Sequence, residues 1–273
     1  MRSEGAADLP TVVYFPGLHG DWFLTASIRS VLRNRVRWVE FTYPTGQAGS
    51  LQDHVAGIRE RLAAAGIRSA WILGESFGSQ IAWSFLNSVE ERSGFDVQGL
   101  ILVGGFIRHP WPVGVRWVRP IVRHLPGWIL GTVLRLYLLQ VRGLGRRSVE
   151  VRESLEQFIT RRLDPSDRVS LLHRLDLISG SDPRPIARRA RVPVWSLAGF
   201  WDPLVPGWPV RRWLRRECPG WRGDRVICWA DHAPLVSAPE SSARIILEWM
   251  GLQEGGEGRT ASSASSTGQR VQR

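Results

Sequence analysis

Residues 71–82 read WILGESFGSQIA. An apolar run enters Gly74, the chain passes through Glu75, Ser76, Phe77 and Gly78, and a second apolar run follows. The pattern G-x-S-x-G alone is weak, because it arises by chance in chains rich in glycine and serine. This chain has 28 glycines. Context therefore decides between a nucleophile on a strained turn and a structural serine. The nucleophile reading requires a strand before the motif, a helix after it, and an acid and a histidine later in the chain.

The flanks meet the first two requirements. SAWIL (69–73) is a short apolar run that predicts a strand, and FGSQIAWSFLNSV (77–89) has the spacing of a helix. The same alternation runs on either side. TVVYFPG (11–17) predicts a strand closed by a Pro-Gly turn, residues 22–33 a helix, and VRWVEFTYP (36–44) a strand stopped at Pro44. SLQDHVAGIRERLAAAGI (50–67) predicts a helix with Ser50 as N-cap, Leu51, Val55, Ile58 and Leu62 on one face, and Gly66 as its stop. GLILVGGF (99–106) predicts the fourth strand. The rhythm resumes with VPVWSLAG (192–199), a helix near 206–217, RVICWA (225–230) and a helix near 238–250. Six strands separated by helices predict an α/β fold with a doubly wound, mostly parallel sheet. The core is expected to comprise residues 1–105 and 187–252. Residues 106–186, interrupted by Pro112, Pro120 and Pro126, are expected to form a cap of several short helices. The tail 253–273, Gly/Ser-rich and without core-forming residues, is expected to be disordered.

Composition narrows the function. The chain of 273 residues is 43% hydrophobic, enough for one sizeable core. No run of about 18 apolar residues lacks charge, so no membrane span is expected. The first residues, MRSEGAADLP, lack the apolar segment of a signal peptide. Cys218 and Cys228 do not make a disulfide framework, and a reducing cytoplasm is the default setting. The six histidines are scattered with no Cys/His pairing, so neither a metal nor another cofactor is expected. The formal charge is +11, and every strong base is arginine.

A serine hydroxyl needs a base to take its proton, and the base needs an acid to orient it. GFWDPLVP (199–206) places Asp202 in the loop after the fifth strand. ADHAPLVSAP (230–239) places His232 in the loop after the sixth. Parallel strands present their C-terminal ends on one side, so both loops fall on the edge that carries Ser76. Asp231 is the competing acid, but neighbours in sequence rarely aim at each other, and Asp202 is preferred. No acid occurs between Asp96 and Glu150, which closes the loop after the fourth strand as a source. The oxyanion of an acyl transfer would sit on the backbone N–H of Phe77 and on one from the turn FPGLHGDW (15–22), Leu18 first and His19 second. His19 itself reads as a catalytic group or as a residue shaping the turn. Glu75 reads as a packing or hydrogen-bonding residue of its turn.

The segments YFPGLHG, ILGESFGS, GFWDPLVP and DHAPLVSAPE resemble the α/β-hydrolase superfamily, within its capped, cofactor-free bacterial branch. The last two also resemble segments of the carboxylesterases that release pimeloyl methyl ester from acyl carrier protein. The resemblance covers about 10–105 and 187–252 and fades in the cap. It implies a Ser76–His232–Asp202 triad, and that the first two strands of the full fold are missing at this N-terminus. Two positions depart from the family pattern: Pro16 precedes Gly17 where many members carry histidine, and Ser79 stands where glycine is usual. Serine at position 76 argues against the dehalogenase and epoxide hydrolase chemistries of this fold, which need a carboxylate nucleophile.

The cap carries eight arginines between Asp96 and Glu150 (108, 116, 119, 123, 135, 142, 146 and 147), interleaved with Trp111, Trp117, Trp128, Leu125, Leu134, Leu136, Leu138 and Leu139. One reading is a lid whose apolar faces cover the pocket while its arginines are solvated. The other is a surface for an anionic, apolar partner, either an acyl carrier protein, an acyl-CoA or an anionic membrane, with Arg116, Arg119 and Arg123 as the contact. Nucleic acid fits poorly, since the segment is too apolar and carries no binding motif. The sequence thus predicts a cytoplasmic serine esterase or thioesterase, peripheral at the membrane if the second reading holds. The alternatives are a catalytically silent binding protein of the same fold, or a peripheral protein acting through its basic cap.

Overall fold

The computed structural model describes residues 1–46, 49–91, 94–126, 129, 132 and 149–252. Seven strands form one sheet: β1 (Arg2–Glu4), β2 (Thr11–Phe15), β3 (Arg37–Glu40), β4 (Ser69–Glu75), β5 (Asp96–Val103), β6 (Val194–Gly199) and β7 (Trp221–Ile227). Their order is β1-β3-β2-β4-β5-β6-β7. Every pairing is parallel except β1 with β3. The sheet is therefore doubly wound and mostly parallel, as the alternating pattern implies.

The N-terminus corrects one expectation. A strand does precede Thr11. β1 is three residues of polar sequence, RSE, which carries no apolar alternation to read. Partners fix it instead. Its backbone pairs with β3, and Glu4 forms ion pairs with Arg29 at 3.0 Å and Arg33 at 3.1 Å.

A 3-10 turn (Phe23–Thr25) leads into α1 (Ala26–Leu32). The remaining helices among the described residues are α2 (Leu51–Ala64), α3 (Gly78–Glu91), α4 (Pro112–His124), α5 (Val149–Arg162), α6 (Pro165–Gly180), α7 (Arg184–Ala187), α8 (Gly207–Glu217), α9 (Pro234–Ser237) and α10 (Pro239–Trp249). Local chemistry sets their ends. Ser50 caps α2 by accepting the Asp53 amide at 3.1 Å, and Asp53 accepts the Ser50 amide in return at 2.8 Å, a closed capping box. Gly66, at φ +68°, ends that turn. Asp164 caps α6, and Pro165 separates it from α5.

Residues of the inner strands β2 to β6 are mostly buried on both faces, as expected for a parallel sheet covered by helices. Val13, Phe15, Val39 and Ile72 pack toward α2 and α3. Val12, Tyr14, Trp38 and Leu73 pack toward α1 and α10. The cap differs from a set of short helices. Its α4, α5 and α6 run 13, 14 and 16 residues, and Pro120, expected to interrupt a helix, lies inside α4. Trp128, Leu134, Arg135, Leu136, Leu138, Leu139, Arg142, Arg146, Arg147 and the tail 253–273 lie outside the described residues. Among the described residues, no helix is long and apolar enough to cross a membrane.

Candidate active site

β4 lies between β2 and β5 in the middle of the sheet and ends at Glu75. The next residue, Ser76, has φ +50° and is the one non-glycine with positive φ among the described residues. That left-handed conformation costs on the order of 1–3 kcal/mol and persists only where the surroundings impose it. The two motif glycines show how. A Cβ on Gly78 would lie 2.1 Å from the Phe15 carbonyl oxygen, and one on Gly74 would lie 2.9 Å from the Gly78 carbonyl oxygen. Backbone, not flexible side chain, blocks both positions, so the sharp turn needs glycine at each. We expect Gly78→Ala to lower stability by roughly 1–3 kcal/mol. Gly57→Ala inside α2, where a Cβ meets open space, should raise it by roughly 0.5–1 kcal/mol. Thermal unfolding of the two variants side by side checks this.

Ser79 holds the other side of the turn. It is fully buried, its hydroxyl lies within hydrogen-bond reach of the Ser76 and Phe106 carbonyls at 2.6 and 2.9 Å, and it accepts the Phe106 amide at 3.0 Å. The serine that replaces the usual glycine thus ties the start of α3 to the loop after β5.

The structure brings Ser76, His232 and Asp202 together. The Ser76 hydroxyl is 2.9 Å from His232 Nε2, and His232 Nδ1 is 2.8 Å from Asp202 Oδ2. The imidazole tautomer with its proton on Nδ1 donates to Asp202 and leaves Nε2 to accept from Ser76. The other carboxylate oxygen of Asp202 accepts the amides of Leu204 and Val205, each at 2.9 Å. Asp231 faces elsewhere. Its Oδ1 accepts the Ala233 amide at 2.9 Å and the Ser237 hydroxyl at 3.0 Å, which shapes the loop carrying His232. A Cβ on Gly199 would sit 1.9 Å from the Asp231 carbonyl oxygen, so the two loops can approach only because that residue is glycine.

Phe77 follows Ser76, and Leu18 follows Gly17, where a Cβ would lie 3.3 Å from the Ser76 Cβ. Neither amide has a backbone acceptor among the described residues. The Gly20 amide donates to the Gly17 carbonyl at 2.9 Å, closing the turn that contains Leu18. Two cap arginines grip the same turn. Arg174 of α6 donates to the Leu18 carbonyl at 2.7 Å, and Arg162 of α5 donates to the His19 carbonyl at 2.6 Å. Both arginines are buried. Arg162 also pairs with Asp21 at 2.6 Å and with Asp167 at 3.1 Å. Burial pushes the Asp21 carboxyl up and the Arg162 guanidinium down from their ordinary values, outweighing their mutual attraction. The pair is thus weak evidence for stability, but Asp21→Ala takes from the buried Arg162 its nearer carboxylate and leaves it Asp167 and the His19 carbonyl. We expect Asp21→Ala to lower stability by roughly 1.5–3 kcal/mol, read by denaturant unfolding; an unchanged midpoint would contradict the ion-pair account.

His19 is half-buried. Burial, with Arg162 and Arg174 nearby, holds its imidazole well below the ordinary range, so it stays neutral. Its Nε2 lies 3.4 Å from the Tyr14 hydroxyl, which donates a short hydrogen bond to Glu75. Burial pushes the Glu75 carboxyl up. Glu75 and His19 therefore belong to an internal network with Tyr14. Sequence reasoning missed Tyr14, Asp21, Arg162, Asp167 and Arg174. Nothing in local spacing links Arg174 to Leu18 across 156 residues or Arg162 to Asp21 across 141.

Of the three cap arginines singled out in the sequence, Arg119 is tied down. It makes a two-point ion pair with Asp176 of α6, at 2.6 and 3.1 Å. The acid that the segment 97–149 lacks is supplied by a later helix. Arg116 and Arg123 are exposed. A cavity of about 330 Å³ lies between His109 and Pro112 on one side and Pro209 and Trp213 on the other. A larger cleft of about 800 Å³, between α2 and α3, is lined by none of the residues named here as a site.

Many solved structures share this architecture. A hydrolase from Pseudomonas aeruginosa PA01 superposes with a TM-score of 0.72 at 17% identity, over 92% of this chain and 93% of that one. The enol-lactonase of Burkholderia xenovorans LB400 gives 0.71 at 16% identity, over 92% and 95%. An esterase from Exiguobacterium antarcticum gives 0.72 at 13% identity, over 92% and 94%. This is the α/β-hydrolase fold. In α/β-hydrolase terms, the site stands where loops at the C-terminal ends of the strands converge. No protein-family model matches the sequence, and no curated protein matches it.

Proposed function

We propose that the chain is a serine hydrolase that cleaves a carboxylic ester or thioester with an apolar acyl group. The observation that carries this reading is the relay from Ser76 through His232 to Asp202, with Ser76 held at positive φ on a glycine-flanked turn. In the proposed reaction the Ser76 oxygen attacks the acyl carbon while its proton passes to His232 Nε2. The tetrahedral oxyanion accepts from the Phe77 and Leu18 amides. Collapse expels the alcohol or thiol, which takes the proton from His232. Water then attacks the acyl-enzyme, gives its proton to His232, and the carboxylic acid leaves with Ser76 restored. Asp202 orients His232 throughout and stabilises its charged form.

Two features support the oxyanion assignment: the Leu18 and Phe77 amides, which have no backbone acceptor among the described residues, and the hold of Arg162 and Arg174 on the turn that carries Leu18. Preorganised donors of this kind are each worth about 10²–10³ in rate. The test is a series of p-nitrophenyl esters and acyl thioesters of graded chain length. Turnover that rises with acyl length and disappears in Ser76→Ala supports the reading. Absence of turnover on every member contradicts it.

A further inference from the structure

The helix α4 turns the wrong face to water. Val115 is buried and Val122 packs against the core. On the opposite side Val113, Trp117 and Ile121, spaced by four residues, form a continuous apolar stripe, with Trp117 70% exposed. A soluble helix would place polar groups there. Arg116 and Arg123 flank the stripe along one edge, while Arg119, nearer the core, is held by Asp176.

A second set of exposed apolar residues lies on the loop that carries Asp202 and on the helix after it. Trp201, Leu204 and Trp208, from the loop after β6 and the start of α8, are large, apolar and exposed. His109, in the loop before α4, accepts the Trp111 amide at 3.1 Å and lines one cavity with Pro112, Pro209 and Trp213. The Arg212 guanidinium lies over the Trp208 ring, 5.6 Å from its centroid. The apolar residues thus border the loop that holds Asp202, and arginines border the apolar residues.

We infer that this face docks on an anionic lipid surface, with the mouth of the Ser76 site turned toward the lipid. Tryptophan and arginine are the side chains suited to a lipid–water boundary: the ring sits among the headgroups and the guanidinium reaches the phosphates. Charge points the same way, since the exposed Arg116 and Arg123 flank the stripe, Arg212 lies over Trp208, and the chain carries +11. The stripe is too short and too bordered by arginine to insert deeply, which fits an interfacial helix. That the docked site acts on lipid-borne acyl groups rests on the hydrolase reading; the docking itself does not.

Flotation of the full chain carrying Ser76→Ala, which cannot alter the vesicles by the proposed chemistry, tests the inference. Partition onto phosphatidylcholine vesicles containing phosphatidylglycerol is expected to exceed partition onto pure phosphatidylcholine by about tenfold or more, and to fall as salt rises. Arg116→Glu with Arg123→Glu should remove that preference. Trp117→Ser with Ile121→Ser should lower binding to both vesicles by about tenfold or more. All four positions are exposed, so circular dichroism should be unchanged. Equal partition onto both vesicles, no partition, or full binding by the Trp117/Ile121 variant overturns the inference. So does sedimentation showing a dimer that this variant dissociates, which would assign the face to a second copy. Because binding is read without turnover, its failure and failure of the hydrolase reading appear in separate measurements.

Discussion

Ser76→Ala is expected to lower ester turnover by ~10⁴ to 10⁶, with the fold unchanged. Nucleophile and base act as a unit, so loss of the attacking oxygen leaves only binding and any oxyanion donors. Alanine in place of serine at φ +50° retains the strain of that conformation, and its side chain faces His232 rather than the packed core. Thermal unfolding should therefore stay close to the parent's. More than a tenth of the parent turnover in this variant would end the nucleophile assignment.

The second large effect concerns the acid. Asp202→Asn is expected to cost up to ~10⁴ in rate, because an amide can present its NH2 to Nδ1 and stabilise the wrong imidazole tautomer. The loop should hold, because the amide oxygen then stays where it accepts from the Leu204 and Val205 amides. Asp231→Asn should cost far less, since Asp231 bonds within its own loop to Ala233 and Ser237. Steady-state kinetics on one soluble ester separates the two. A larger loss from Asp231→Asn would reassign the acid.

Much of the core was legible because each signal was local. Apolar runs alternating with helical spacing mark the parallel strands, and Ser50 marks the start of α2. The order of Ser76, Asp202 and His232 matters only once parallel strands bring three loops to one edge, and that inference needs topology but no distances. What the sequence hides is pairing at long range. β1 exists because β3 offers it backbone partners, not because RSE favours a strand. The Arg119–Asp176 bridge joins residues 57 apart, so a segment without acids looks uncompensated until the helices pack. The mixed apolar spacing of α4 suggests a lid covering a pocket. In the structure Val115 and Val122 take the inward face, and Trp117 and Ile121 are left outside. The grip of Arg162 and Arg174 on the turn after β2 was likewise invisible, because arginine in a cap helix reads as a solvated residue until a buried carbonyl is found opposite it.

The central claim is that Ser76 is a nucleophile activated by His232. Labelling with a fluorophosphonate probe, followed by peptide mass mapping, tests it most directly. The probe reacts with a serine whose proton is being removed and leaves ordinary surface serines unmodified. The account predicts stoichiometric labelling at Ser76, abolished in Ser76→Ala and strongly slowed in His232→Ala. No labelling of the folded chain, or labelling at another serine that survives both substitutions, would contradict it.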